Sequence, residues 1–151
     1  MTGLTHDERG YPVIDAKCQA SCVGRLLDKI RENRDRIERI EETETDGADV
    51  VVISYGITAR VANMAAQLAR KKGVKVGFLR LVVVWPFPER RIRELARQVQ
   101  AFVVPEINYG QIVLEVERCA AGEAPAVPVS HPGGGVHDPN VICEAILGAA
   151  R

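Results

Sequence analysis

From residue 50 onward the chain alternates between short apolar runs and stretches whose apolar positions recur every three or four residues. VVVIS (50–54) is a β-branched run suited to a strand buried on both faces. Thr58 is placed to cap a helix reaching Lys72, with Val61, Met64, Ala65 and Leu68 inward, a basic last turn and Gly73 as its stop. VKVGFLRL (74–81) reads as the next strand, extended by VVV to Trp85. Pro88 opens a helix to Val99 that turns Ile92, Leu95 and Val99 inward. AFVVP (101–105) is a third strand, and Asn108 or Gly110 starts a helix striped by Ile112, Val113, Val116 and Cys119. APAVPVS (124–130) is a fourth strand whose two prolines assign it to an edge. After a glycine-rich loop, Asp138 caps a last helix with Pro139 in its first turn and Val141, Ile142, Ala145 and Ile146 on its core face. Strand–helix alternation with short connections predicts a parallel sheet between two helix layers.

The first third follows another pattern. Residues 1–14 read as loop, broken by Gly10 and Pro12. From Asp15 to about Glu42 a helical stripe runs through Val23, Leu26, Leu27, Ile30, Ile37 and Ile40. It thins at Asn33, and the other faces interleave opposite charges, as in KIRENRDRIERIEE. The plainer reading is a packed helix with a solvated charged face; the other is a helix whose second half projects or lies on a partner. The expected division is therefore 1–44, a lead-in loop and long helix, and 45–151, the α/β domain.

Composition narrows the function classes. The chain has 151 residues, enough to bury a core without disulfide or metal. Formal net charge is zero, which favours neither nucleic acid nor an anionic membrane as partner. No run of 18 apolar residues occurs, and the opening MTGLTHDERG lacks the apolar stretch of an export signal. The expected compartment is the cytoplasm, with the four cysteines reduced. Cys18 and Cys22 share a helix face, while Cys119 and Cys143 stand apart without a C-x-x-C pair; they read as small apolar residues, not as ligands of a cluster.

Four loops follow the carboxyl ends of the strands, where open parallel sheets present their ligand-facing rim. They are SYGIT (54–58), VWPFPE (84–89), PEINYGQ (105–111) and SHPGGGVHDP (130–139). Neither a dinucleotide fingerprint nor a P-loop is present, so Gly56 reads as a turn residue. The run of three glycines offers an anion nest or an interface loop, the second being plainer. Glu106 suits a general acid or base, or an acceptor for the free donors of a helix start; Asn108 suits a cap. His131 and His137 flank the glycines without a visible third ligand. The residues alone specify no reaction.

The order of these motifs resembles a known family. SYGITARVANMAAQLARKKGVKVGFLRL, WPFPERRIRELA, VVPEINYGQIVLEVER and PGGGVHDPNVICEAIL are similar to the C-terminal domain of the alpha subunit of 2-oxoacid:ferredoxin oxidoreductases, in particular the 2-oxoglutarate type. The lead-in GLTHDERGYP resembles the stretch preceding that domain. The resemblance implies a transketolase C-terminal-like α/β/α fold with a mostly parallel five-stranded sheet and one antiparallel strand, the fifth to be sought in 111–123 or around 82–87. It also implies a complex that decarboxylates a 2-oxoacid on thiamine diphosphate and magnesium, joins the acyl group to coenzyme A and passes electrons through iron–sulfur clusters to ferredoxin. Those cofactors are expected on other alpha-subunit domains and on the beta subunit, with none on this chain. Gly56, Trp85, Pro86, Glu106, Asn108, Gly110 and Gln111 match motif positions, and one glycine precedes Gln111 where many relatives have two. No catalytic, cofactor-binding or metal residue is expected. The rim, with Trp85, Phe87 and Tyr109 as anchors, is expected to dock the cofactor-bearing domains or a second protomer. The competing readings are a stand-alone nucleotide or coenzyme A binder with a pocket at the rim, and an enzyme pairing Glu106 with His131 or His137.

Overall fold

The computed structural model describes residues 5–151, so residues 1–4 of the expected lead-in loop lie outside the described part. The chain divides into a unit ending at Ile37 and a unit Glu38–Arg151.

In the first unit, α1 (Ala16–Arg31) starts at Asp15, whose carboxylate accepts from the Cys18 amide at 2.9 Å. The short α2 (Arg34–Ile37) follows. The single helix expected from 15 to 42 breaks at Asn33, where the side-chain amide donates back to the Lys29 carbonyl at 2.9 Å. A side chain bonded to the last turn competes with continued helix.

In the second unit the chain is extended where helix was expected: Ile40–Thr43 is β1. The others are β2 (Val50–Tyr55), β3 (Val76–Leu81), β4 (Ala101–Glu106) and β5 (Ala126–Ser130). They form one sheet of order β1-β3-β2-β4-β5, parallel except for β1, which runs antiparallel to β3. The fifth strand thus lies at residues 40–43, outside both stretches where it was sought. A four-residue segment reads equally as helix or strand from its one isoleucine. Its partner decides: Ile40 pairs with Leu81 and packs on the core, while Glu41 meets Arg80 across the ladder at 2.9 Å. Residues 82–87, expected as strand or strand extension, leave the sheet, and the Trp85–Pro86 peptide is cis.

The helices are α3 (Thr58–Lys71), α4 (Glu89–Ala96), α5 (Ile112–Ala120) and α6 (Pro139–Ala149). Alternate residues of central β2 feed two cores. Val51 and Ile53 join Leu79, Phe102 and Val104 under Ile92, Leu95, Val113 and Val116 of α4 and α5. Val50 and Val52 join Phe78 and Val103 under α3 and α6. The buried stripe of α3 is alanine, from Ala59 and Ala62 to Ala65, Ala66 and Ala69. Val61 and Leu68 are only partly buried and Met64 is exposed, so their expected inner positions are corrected by the helix's rotation. Small side chains let α3 lie close to the sheet and α6. In α6, Ile142, Cys143 and Ile146 are buried and Val141 is exposed, against expectation.

Candidate functional site at the carboxyl edge of the sheet

Neighbouring parallel strands β2 and β4 end side by side in Tyr55 and Glu106. Every residue of β4 is buried, and Glu106 is only 1% exposed. A carboxylate so placed needs partners, and the start of α5 supplies them. Oε1 accepts from the Val113 amide at 2.9 Å, Oε2 from the Ile112 amide at 2.9 Å, and both oxygens from the Gln111 amide at 3.2 and 3.3 Å. Gln111 occupies the cap position without a side-chain cap bond of its own. Glu106 therefore caps α5 from the preceding strand, with its charge at the positive end of the helix dipole. The helix starts at Ile112, later than Asn108 or Gly110, because this capping holds the preceding residues in a turn.

Two side chains complete the cluster. The Tyr55 hydroxyl donates to Glu106 Oε2 at 3.3 Å, and the Asn108 amide donates to the same oxygen at 3.2 Å and to the Tyr55 oxygen at 3.1 Å. Burial first, and then the Glu106 charge, raise the Tyr55 phenol above its ordinary value, so it stays a donor at neutral pH. Asn108 Oδ1 accepts from the Gly110 amide at 2.7 Å, closing a turn in which Gly110 has φ +103°. The sequence had offered Asn108 as a cap of the helix itself; it closes the turn before it.

This cluster directs the loop tip outward. Tyr109 is 86% exposed and Ile107 also faces solvent. Neighbouring loops do the same: Trp85 follows β3 with 65% exposure, Ile57 follows β2 with 51%, and Val136 follows β5 with 57%. Each of these side chains stands on a loop that follows a strand of the sheet, whereas Met64, Leu114 and Val141 stand on helices. Sequence reasoning missed Tyr55, Ile57 and Val136. Which loop tips adjoin depends on strand order, and nothing local in the sequence encodes that. Gly56 has φ +55° in the turn after β2. Pro86 and Phe87, expected on the rim, are buried; Phe87 belongs to the core beneath α4 and is not available to a partner.

The stand-alone enzyme reading required a histidine beside Glu106. The carboxylate's partners are a phenol, an amide and three backbone N–H groups. His131 reaches Glu106 only through its backbone amide, which donates to the Glu106 carbonyl at 2.9 Å. His137 is buried and its Nε2 donates to the Val129 carbonyl at 2.8 Å. The two rings pack 5.1 Å apart. A groove of about 470 Å³ lies between Glu44, Asp46, Arg70 and Lys75, and a cleft of about 710 Å³ lies within the first unit; neither touches the rim. All four cysteines are free. Among the described residues no three His, Cys, Asp or Glu side chains are grouped to hold a metal ion.

Residues 48–142 match the model of pyruvate:ferredoxin oxidoreductase core domain II. The chain belongs to this family. Its relatives include the 2-oxoglutarate synthase subunit KorA of Methanothermobacter marburgensis, 42% identical over 98% of this chain and 40% of that protein. KorA of Methanocaldococcus jannaschii is 40% identical over 98% of this chain and 40% of its own length. The ketoisovalerate oxidoreductase subunit VorB of Methanothermobacter thermautotrophicus is 37% identical over 78% of this chain and 34% of its own. The chain thus spans about two-fifths of the first of these relatives. A solved 2-oxoglutarate:ferredoxin oxidoreductase from Magnetococcus marinus, with 2-oxoglutarate, coenzyme A and succinyl-CoA bound, superposes on 99% of this chain and 26% of its own with TM-score 0.76 and 24% identity. A split-gene transketolase, an inactive β4 tetramer, superposes on 73% with TM-score 0.62 and 21% identity. These two establish the likeness of fold: an α/β/α, transketolase-like arrangement with a mostly parallel five-stranded sheet. Among the described residues no helix is long and apolar enough to cross a membrane.

Proposed function

We propose that this chain is the assembly-supporting domain of a 2-oxoacid:ferredoxin oxidoreductase alpha subunit of the 2-oxoglutarate type. The complete complex oxidatively decarboxylates a 2-oxoacid, forms an acyl-CoA and delivers electrons to ferredoxin in the cytoplasm. Thiamine diphosphate, magnesium and the iron–sulfur cluster sit on the other alpha-subunit domains and the beta subunit, and the 151-residue chain alone is inactive. The observation that carries this reading is the division of labour at the rim. Its one buried carboxylate is committed to capping α5, while Trp85, Ile57, Ile107, Tyr109 and Val136 on the loops after the strands stand in solvent. Apolar side chains gathered on one edge mark a docking surface, with aromatic residues as its anchors. Gly56, Glu106, Asn108, Gly110 and Gln111 shape the loops that present them. The names of the relatives, all subunits of such oxidoreductases, support the same assignment.

The test is reconstitution. The wild-type chain, produced with the remaining subunit regions, co-purifies and restores 2-oxoacid- and coenzyme A-dependent reduction of ferredoxin. Tyr109→Ala with Trp85→Ala weakens co-purification about thirtyfold or more, the range of an interface hot spot lost (about 2 kcal/mol or more), and leaves the chain's melting temperature unchanged. Ferredoxin reduction by the chain alone, or assembly indifferent to both substitutions, defeats the proposal. A rise in melting temperature with coenzyme A alone favours the small-molecule binder instead.

A further inference from the structure

After β5 the chain reads SHPGGGVHDP, and both ends of that loop are tied to the sheet. The His131 amide donates to the Glu106 carbonyl, and His137 Nε2 donates to the Val129 carbonyl. Between these ties Gly133 and Gly134 take φ of +98° and +80° in succession. A Cβ on Gly135 would lie 2.7 Å from His131 Nε2, so glycine lets that ring rest against the main chain. What the loop leaves over is a set of donors and one acceptor. The amides of Gly133, Gly134, Gly135, Val136, His137 and Asp138 donate to no acceptor among the described residues. Successive N–H groups in such turns form the concave nests that hold anions. The acceptor is His137 Nδ1. The residue is only 5% exposed, and Nδ1 has no hydrogen-bond partner, an uncommon condition for a buried polar atom. Nε2 carries the hydrogen given to Val129, so in the neutral ring Nδ1 is a bare lone pair. Nδ1 is bonded to the ring carbon that bears Cβ and therefore sits beside the loop's own main chain, while Nε2 reaches away to the strand. Asp138 turns elsewhere: its carboxylate accepts from both Asn140 nitrogens and caps α6.

The two halves of this inventory select the ligand. Backbone N–H groups hold any oxyanion, but the lone pair of Nδ1 calls for a group that also donates. At neutral pH a carboxylate or a sulfate brings acceptors only. A phosphomonoester gives up its last hydrogen at about pH 6, whereas inorganic phosphate keeps a hydroxyl throughout the neutral range. Nδ1 is covered by the loop, so entry requires the loop to part, which consecutive glycines permit.

We infer that the loop 132–138 is a binding site for inorganic phosphate, its glycine amides donating to the phosphate oxygens and the phosphate hydroxyl donating to His137 Nδ1. The site goes beyond the assembly role and does not depend on it; a bound phosphate fixes the loop that carries exposed Val136. An NMR titration of the isotope-labelled chain at constant ionic strength tests it. Inorganic phosphate shifts the amide signals of residues 133–138 saturably at millimolar concentration and moves the His137 Nδ1 signal in the direction of an accepted hydrogen bond. Sulfate, and methyl phosphate at about pH 7.5, bind at least about tenfold more weakly, the loss of one hydrogen bond. His137→Gln keeps an amide donor for the Val129 carbonyl, removes the Nδ1 acceptor and brings phosphate level with sulfate. Gly134→Ala, strained at φ +80°, weakens both. If either variant fails to fold, the wild-type ratio of phosphate to sulfate affinity decides alone. A phosphate titration without saturable shifts in the loop overturns the inference and leaves the assembly reading untouched. Sulfate bound as tightly as phosphate by the wild-type chain overturns it as well. Failed reconstitution with phosphate binding intact defeats only the assembly reading.

Discussion

Replacing Glu106 by Gln tests the capping geometry. The substitution is nearly isosteric, so it creates no cavity; what changes is the hydrogen-bond inventory. The carboxylate accepts from three backbone amides of the α5 start as well as from Tyr55 and Asn108. A glutamine has one acceptor oxygen, and its NH₂ faces a backbone N–H in either orientation. At least one buried donor loses its partner and the charge–dipole attraction is lost. Each unsatisfied buried donor costs about 1–3 kcal/mol, and the helix-end charge contributes up to about 2 kcal/mol when partly buried. Removing the charge also recovers some desolvation, so the net expectation is a loss of about 3 kcal/mol. For a domain of this size that lowers the melting temperature by about 10 °C. In urea the midpoint falls by roughly 1.5 M with an unchanged slope, because the surface exposed on unfolding is the same. Tyr109→Ala, at an 86% exposed position, is the control and stays within about 0.5 kcal/mol of wild type. If Glu106→Gln also falls within that range, water satisfies the α5 start and the capping argument is refuted.

Two further substitutions probe the antiparallel edge. A Cβ on Gly77 would lie 2.7 Å from Thr45 Cα, 2.9 Å from Val51 Cγ2 and 3.0 Å from the Glu44 carbonyl, so Gly77→Ala costs about 1–3 kcal/mol; exchange of the Ile40–Thr43 amides accelerates first, and unchanged exchange there counts against the packing argument. Arg91 binds Glu42 at 2.7 Å and Asp46 at 2.8 Å, and this hydrogen-bonded pairing lowers the Glu42 carboxyl below its ordinary value of 4.5. A depressed carboxyl stabilises the fold fully above its unfolded value and loses that contribution as pH falls through its folded value; wild type should therefore exceed Glu42→Gln by a constant margin above about pH 5.5 and converge with it in more acid buffer, a divergence on acidification contradicting the assignment.

The two-period pattern is legible in the sequence alone. β2, β4, α4, the Asp138 cap and the Gly73 stop follow from runs of β-branched residues, apolar spacing and capping residues, all local signals. At the rim, sequence pointed to PEINYGQ, and Glu106 could be named with two roles open. The choice between them needed the distance from its oxygens to the α5 amides. Tyr55 escaped notice because its hydroxyl meets residues 51 and 53 positions away.

The chain's own order of apolar and polar residues determined that a parallel sheet would lie between helix layers, because burial along a strand and around a helix leaves distinct periods in sequence. Tertiary structure alone decided the rest. IEET became a strand because β3 offered an open edge with Leu81 and Arg80 to pair. Alanines became the inner face of α3 because the sheet and α6 approach closely there. Trp85, Ile57, Tyr109 and Val136 came to one edge of the sheet because the strand order sets the loops after β3, β2, β4 and β5 there. Each outcome depends on which distant segments become neighbours, and no local stretch of sequence records that.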